Sequence, residues 1–368
     1  MADKSNIEWT DATWNPITGC TLVDDGCRHC YAAHLITSWP AIGNHPSRVG
    51  LARKNAAGES KFTGEVRFNA EWLTQPLHWK KPRRIFVCAH GDLFHPSVPD
   101  DWIDQVFAVM ALAPQHTFQV LTKRPERARE YLTKLFVEVD EWDRIEQAAL
   151  CLGATVDQAV EAGNLFDKPL PNVWLGTSIS DQASADLRIP QLLATPAAVR
   201  FVSTEPLLGP VDLTLDGLVC LPCPNADGAI IDWTTGQTEC CSHCDYTGVG
   251  SEWGIDWVIV GGESGPHARP MHPDWARSLR DQCVTAGVPF LFKQWGEWIS
   301  TYDRNRDDPD WRNIPKPGDW DKKRWLNLAG GQGFHGDNLN MMRRIGKRAA
   351  GRMLDGQEWS QFPQASHG

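Results

Sequence analysis

Residues 84–124, RIFVCAHGDLFHPSVPDDWIDQVFAVMALAPQHTFQVLTKR, predict a strand–helix–strand unit. An apolar run at 84–92 ends in polar residues, 101–112 has helical spacing, and a second apolar run follows at 116–124. Nearly continuous apolar runs joined by a helix-sized segment are typical of parallel strands covered by helices.

The same alternation continues along the chain. Further apolar runs with polar or glycine-containing ends occur at 172–180, 199–205, 257–263 and 289–294. Helical spacing recurs at 125–136 and 273–286. With an opening strand near residue 14, about six or seven βα units result. We therefore predict the α/β class, with a complete or partial βα barrel of the TIM type over residues 1–298.

Barrels of this kind carry their chemistry at the carboxyl ends of the strands. Polar residues of both charges recur at these ends, which favours a small zwitterionic or phosphate-bearing ligand. The candidate ligand-binding residues are His90, Asp92, Lys123, Arg124, Ser178, Glu205 and Glu263. For any single one of them, an ordinary solvent-facing rim is the alternative.

Two strand ends are more specific. At Gly261-Gly262-Glu263 a ligand could approach the backbone while the carboxylate accepts from an ammonium group. A turn that merely needs glycine is the alternative. Lys123 and Arg124 precede a helix start, where cations are unfavourable for the helix dipole unless an anion holds them. A pair facing solvent is the alternative there.

Three cysteines lie within eleven residues of the segment 14–31, WNPITGCTLVDDGCRHCY. Cys20, Cys27 and Cys30 have the spacing C-x6-C-x2-C. Three thiolates on a four-iron cluster leave one iron open, which a cluster needs if it is to bind a small molecule. A structural zinc completed by His29, His34 or a distant residue is the alternative.

Residues 216–250 interrupt the βα alternation. Cys220-x2-Cys223 and Cys241-x2-Cys244 are separated there by seventeen residues, a spacing that fits a small zinc-ribbon-like insertion. Four-cysteine zinc would supply stability that so short a segment lacks. A second iron–sulfur cluster is the competing interpretation, and Cys240 could replace Cys241.

Residues 299–368 form a third region. The segment 301–323 predicts an irregular covering segment, and 338–354 (NLNMMRRIGKRAAGRML) predicts a helix. Its basic residues are Arg343, Arg344, Lys347, Arg348 and Arg352. A solvated basic helix and a nucleic-acid contact are both compatible with this pattern.

Composition limits the class of protein. A net charge of -10 argues against a surface dominated by nucleic-acid binding, although it leaves room for a local basic groove. The absence of an apolar stretch of about 18 residues predicts no membrane span. With no targeting segment and eleven cysteines, eight of them in two groups, we expect a cytoplasmic protein whose cysteines bind metal.

Several motifs resemble the phage Gp37/Gp68 family (DUF5131), a group of uncharacterised proteins considered similar to radical S-adenosylmethionine enzymes. The matching pieces are WNPITGC, GCRHCYA, DLFHP at 92–96, LTKRP at 121–125, STEPLLGP at 203–210, DWVIVGGESGPHARPMHPDW at 256–275, FKQWG at 292–296 and GKRAAGRMLDG at 346–356.

The resemblance implies that Cys20, Cys27 and Cys30 ligate a 4Fe-4S cluster. Its open iron would bind S-adenosylmethionine, and one-electron reduction by an unidentified donor would give a 5'-deoxyadenosyl radical. Such enzymes usually have C-x3-C-x2-C with an aromatic residue before the last cysteine, whereas this chain has a six-residue gap and His29. Their GGE-type motif usually follows the second strand, so Asp92 with His90 is a better candidate here for the methionine ammonium than Glu263.

Nucleic acid or nucleotide is the expected substrate, from the phage association, the basic tail and the tryptophans. Two other classes stay open. The chain could be a non-catalytic metalloprotein that binds nucleic acid or a protein partner. It could also be a hydrolase or transferase that uses Asp92, His95 and Glu263 as metal or acid–base groups.

Overall fold

The computed structural model describes residues 5–137, 142–165, 168–213, 229–231, 238–240, 254–304, 322–333 and 336–364. A seven-stranded sheet lies at its centre, with the strands side by side in chain order and all neighbours parallel. The strands are β1 (Ala12–Trp14), β2 (Arg84–Val87), β3 (Thr117–Thr122), β4 (Val173–Ser178), β5 (Val199–Thr204), β6 (Trp257–Gly261) and β7 (Phe290–Gln294).

The helices lie between these strands or follow them. They are α1 (Tyr31–Ser38), α2 (Pro40–Gly43), α3 (Ala70–Leu73), α4 (Asp100–Ala111), α5 (Pro125–Val137), α6 (Trp142–Cys151), α7 (Val156–Asn164), α8 (Gln182–Leu193), α9 (Pro273–Ala286) and α10 (Lys347–Ala350). Short 3₁₀ turns occur at Asp25–Cys27 and Gln75–His78.

The sheet is curled around the indole of Trp9. This ring contacts Phe86 on β2 with a centroid distance of 4.7 Å and Trp257 on β6 with a centroid distance of 6.3 Å. Four strand spacings separate β2 from β6, which is about 19 Å in a flat sheet. A ring that contacts both strands therefore requires strong curvature. The sheet is a half-barrel with β1 and β7 at its edges, and the predicted α/β class with a partial barrel is confirmed at this level.

Side chains of the strands alternate between the two faces of the half-barrel. The concave face buries Trp9 with Trp174, Phe201, Trp257 and Ile259. On β4 this face has no room for a larger residue, because a Cβ at Gly176 would lie 2.5 Å from the Phe201 ring. The convex face packs on the helices in the larger apolar core.

The predicted helices at 101–112, 125–136 and 273–286 are confirmed; α4 begins and ends one residue earlier than predicted, and α5 ends one residue later. Helix α9 has clear end signals. The His272 ring accepts a hydrogen bond from the Asp274 backbone N–H, and Gly287 ends the helix at φ 68°.

The predicted basic helix over 338–354 is wrong. Residues Leu339–Arg344 form the central strand of a three-stranded antiparallel sheet with Trp298–Arg304 and Lys323–Leu326, and only Lys347–Ala350 is helical. Asn338, Gly346 and Gly351 have positive φ angles, so one continuous helix over this segment is not possible. The predicted irregular segment 301–323 lies largely outside the described residues.

The remaining strands form two-stranded hairpins or bridges. Ile17–Thr18 pairs with Arg67–Phe68, Ala52–Lys54 with Ser60–Phe62, Ala229–Ile231 with Thr238–Cys240, and Met353–Leu354 with Gln357–Glu358. Cys220, Cys223, Cys241 and Cys244 lie outside the described residues, so the zinc-binding insertion stays a prediction. Among the described residues, we find no helix that combines the length and apolar character needed to cross a membrane.

Candidate functional site

The three-cysteine loop, residues 20–30, lies at the carboxyl ends of the sheet strands. Its start is fixed to the end of β2, where the Gly19 N–H donates to the His90 carbonyl oxygen at 3.0 Å and Gly19 forms a parallel bridge with Gly91. Cys27 ends the 3₁₀ turn Asp25–Cys27, and Cys30 is the residue that precedes α1.

Asp24 sets the shape of this loop. Its carboxylate accepts from the Cys27 N–H at 3.1 Å, and it also binds Lys123 Nζ at 3.0 Å and Arg188 at 2.6 Å. Burial opposes the ionised form of Asp24, but the two cations outweigh burial and lower its pKa to about 2. The turn that carries Cys27 is therefore ion-paired to the end of β3 and to α8.

A second connection joins β2, β3 and the first cysteine. The buried Asp92 carboxylate accepts from Thr122 Oγ1 at 2.7 Å and from the Arg124 guanidinium at 2.7 Å. The same guanidinium donates to Cys20 Sγ at 3.6 Å and to Thr21 Oγ1 at 2.6 Å. Asp92 thus holds a cation against the sulfur of Cys20.

The other end of the loop is held from β6. Glu263, buried after that strand, lies 3.1 Å from His29 Nδ1 and accepts from the Arg269 side chain at 2.7 and 2.9 Å. Arg269 in turn forms an ion pair with Asp25. The Glu263 carboxylate therefore contacts the loop itself, through the histidine that lies between Cys27 and Cys30.

The three thiols are close enough to influence one another. Burial raises the pKa of Cys20 to about 12; Asp92 and Cys30 add to the increase, and Arg124 opposes it. Burial also raises the pKa of Cys30, with a contribution from Cys27. A bound cation or cationic cluster would reverse this preference, because metal ions stabilise thiolates. Three cysteine thiolates are the number of protein ligands that a four-iron cluster with one open iron needs.

Over the described part of the chain, no group of three or more His, Cys, Asp or Glu side chains is placed to hold a single metal ion.

Three further predicted residues lie at neighbouring strand ends. His90 accepts from Arg48 Nε at 2.9 Å, and burial together with that cation lowers its pKa to about 4. Ser178 is buried as the last residue of β4, and its carbonyl oxygen accepts from Arg188 at 2.7 Å. Glu205, after β5, binds Lys293 Nζ at 2.7 and 2.8 Å.

Two buried polar atoms at these ends have no hydrogen-bond partner within the described residues. They are Ser180 Oγ after β4 and Gln294 Oε1 at the end of β7. The amide group of Gln294 donates to Glu205 at 3.0 Å, which fixes the direction of its oxygen. These atoms suit a ligand or water that donates hydrogen bonds.

The sequence predictions named the cysteines and the strand-end residues but did not include Asp24, Arg188 and Arg269, which contact them in the structure. Asp24 carried a signal, since an acidic residue before a short turn is a good cap. Arg188 lies in an amphipathic helix and Arg269 in a loop, and neither has a local pattern that points to the cysteines.

A family model described as "Protein of unknown function (DUF5131)" matches residues 4–363, which is almost the whole chain. The comparison with curated proteins gives no match, and neither does the comparison with solved structures.

Proposed function

The chain belongs to the DUF5131 family, and we propose that it is an iron–sulfur enzyme of the radical S-adenosylmethionine type. The observation that supports this proposal is the position of the cysteine loop. Three thiols, one of them contacted by Arg124, lie over the carboxyl ends of a curled parallel sheet. That is the place where βα barrels carry their reactive groups.

A 4Fe-4S cluster on Cys20, Cys27 and Cys30 would supply an electron to S-adenosylmethionine at an iron that no cysteine ligates. Arg124 would donate to a ligating sulfur, and hydrogen bonds to sulfur are one means by which a protein sets a cluster's reduction potential. Asp92 orients that guanidinium. An electron donor is required as a partner.

The remaining strand ends would position the ligand. Glu205 and Lys293 present both signs of charge after β5 and at β7, which suits a zwitterionic group. Ser180 Oγ and Gln294 Oε1 are available to accept from ligand hydroxyl or amino groups. The large buried indoles below them exclude water from the interior of the half-barrel.

We also propose zinc for the insertion, held by Cys220, Cys223, Cys241 and Cys244. Four thiolates satisfy a structural zinc completely and leave no open position. The zinc would stabilise the insertion, and the iron–sulfur cluster on the cysteine loop would be the reactive centre.

The test is anaerobic purification and reconstitution of the full chain, with iron, sulfide and zinc analysis. Electron paramagnetic resonance of the reduced protein would follow, with and without S-adenosylmethionine. We expect a 4Fe-4S signal that changes on adding S-adenosylmethionine and is lost in Cys27→Ser. Cys151→Ser is the matched control, because Cys151 is an exposed cysteine on α6.

Two outcomes would contradict the proposal. The first is protein that binds only zinc at both cysteine groups, which would indicate the non-catalytic metalloprotein. The second is an equal loss of iron in the Cys27 and Cys151 variants, which would mean that iron binding does not depend on the loop.

A further inference from the structure

The connection between β1 and β2 carries an excess of positive charge beside the cysteine loop. Residues 26–69 contain six Lys or Arg and two Glu, a net charge of +4 in a chain whose net charge is -10. Such a local excess attracts anions even when the whole protein is acidic.

The structure collects four of these cations around one hairpin. Strands Ala52–Lys54 and Ser60–Phe62 pack against α1, and Lys61 Nζ donates to the Arg28 carbonyl oxygen at 2.5 Å. Arg53 is the direct cross-strand partner of Lys61. We call the exposed faces of α1, Arg28 and this hairpin the basic surface.

The charges of the basic surface are only partly compensated. Glu59 lies 3.4 Å from Arg28 and 3.5 Å from Lys61, and it is one carboxylate among four cations. Like charges directly opposite on two strands destabilise a hairpin. Arg53 and Lys61 are such a pair, and an anionic ligand would relieve their repulsion.

Two exposed aromatic side chains lie at the two ends of α1. Tyr31 is the first residue of α1 and is 58% exposed, and Trp39 follows the last residue of α1 and is 59% exposed. The Cα atoms of these two residues are about 12 Å apart along the axis of α1. Exposed aromatic rings along a cationic surface are how proteins bind single-stranded nucleic acid without reading its sequence.

We infer that the basic surface binds a single-stranded nucleic acid and presents it to the adjoining cysteine loop. Arg28, Arg53 and Lys54 would contact phosphates, and bases would stack on Tyr31 and Trp39. The inference rests on the proposed function only for what happens to the strand once it is bound. The charges alone would also suit an acidic protein, but two rings about two helical turns apart favour bases.

The location differs from the one expected from the sequence. The C-terminal tail contains more basic residues, but they are divided between a strand, a four-residue helix and the segment after it, and do not form one helix face. The basic surface, in contrast, begins next to Cys30.

The experiment is fluorescence anisotropy of labelled twelve-nucleotide single-stranded DNA and RNA with the full chain over a series of salt concentrations. Trp39→Ala and the double variant Arg53→Gln/Lys54→Gln are compared with the control Lys80→Gln/Lys81→Gln, whose lysines are exposed on a different segment. We expect affinity to fall about tenfold in Trp39→Ala. In the Arg53/Lys54 variant, the slope of log affinity against log salt concentration should become less steep by about 1.4.

Equal affinities in the variants and the control would overturn the inference. Failure of the wild-type chain to bind either strand, together with salt-sensitive binding of an acidic protein, would overturn it in favour of a protein partner. The same samples are tested for iron. Nucleic-acid binding without any cluster contradicts only the proposed enzyme, and a cluster without nucleic-acid binding contradicts only this inference.

Discussion

One guanidinium nitrogen of Arg124 contacts both Asp92, at 2.7 Å, and the sulfur of Cys20, at 3.6 Å. The carboxylate therefore balances the cation that faces the thiol. Removing either charge would leave the other buried without its partner, since the Arg124 side chain is 11% exposed and the Asp92 side chain 6%. Such losses are costly in protein interiors.

Arg124→Gln should lower the free energy of unfolding by about 3 kcal/mol. Asp92→Asn should do the same, whereas the double variant should lose less than the sum because both members of the pair are gone. Urea unfolding of the four proteins measures this coupling. Additive effects within about 0.5 kcal/mol would contradict a direct interaction.

Acid should destabilise the protein through Asp24. Its folded pKa of about 2 lies below the ordinary value of 3.8, so its stabilising effect is present above pH 3.8 and is lost as the pH falls toward 2. The shift corresponds to about 2 kcal/mol. Asp24→Asn should therefore be less stable than wild type at pH 7 but lose less stability between pH 4 and pH 2. Parallel pH profiles from urea unfolding would refute this assignment.

Gly26→Ala should displace the cysteine loop because the added methyl group would collide with neighbouring side chains. A Cβ at Gly26 would lie 2.1 Å from Ser180 Oγ and 2.8 Å from Lys123 Nζ. We expect the free energy of unfolding to fall by about 1 kcal/mol, and we expect the variant to retain less iron after reconstitution. Gly209→Ala is the control, because its Cβ would meet its nearest neighbour, Asp181, at 3.5 Å. Similar iron content in both variants would show that the loop tolerates displacement.

The two carboxylates bound to Arg269 should contribute unequally. Glu263→Gln removes a carboxylate whose side chain is 4% exposed, and we expect a loss of about 3 kcal/mol. Asp25→Asn removes one that is 63% exposed, so the loss should stay below about 1 kcal/mol. Thermal or urea unfolding compares the stabilities of the Glu263→Gln and Asp25→Asn variants with that of the wild type. A larger effect at Asp25 would contradict the geometry of this cluster.

The sequence predicted the parallel strands well because burial on both faces leaves continuous apolar runs, as at residues 257–260. It predicted α9 because residues 273–286 have helical spacing, and in the structure Pro273 begins this helix and Gly287 ends it. The prediction of a C-terminal helix was wrong because residues 339–344 pair with a strand on each side, and this pairing outweighs their helical spacing.

The site was predictable only in part. The cysteines are close in sequence and could be grouped from their spacing. Glu263 and His29, however, are 234 residues apart, and no local pattern connects them. Long-range contacts of this kind depend on how the strands are arranged, which a single sequence does not specify in detail.

The attachment of residues 20–30 to β2, β3, α8 and the segment after β6 has a thermodynamic consequence. Any ion or cluster that binds these cysteines only in the folded chain adds its binding free energy to the free energy of unfolding of the whole half-barrel. Chelators, oxygen and reductants would therefore change the melting temperature as well as any chemistry. A heating curve recorded before and after reconstitution would then report the occupancy of the loop.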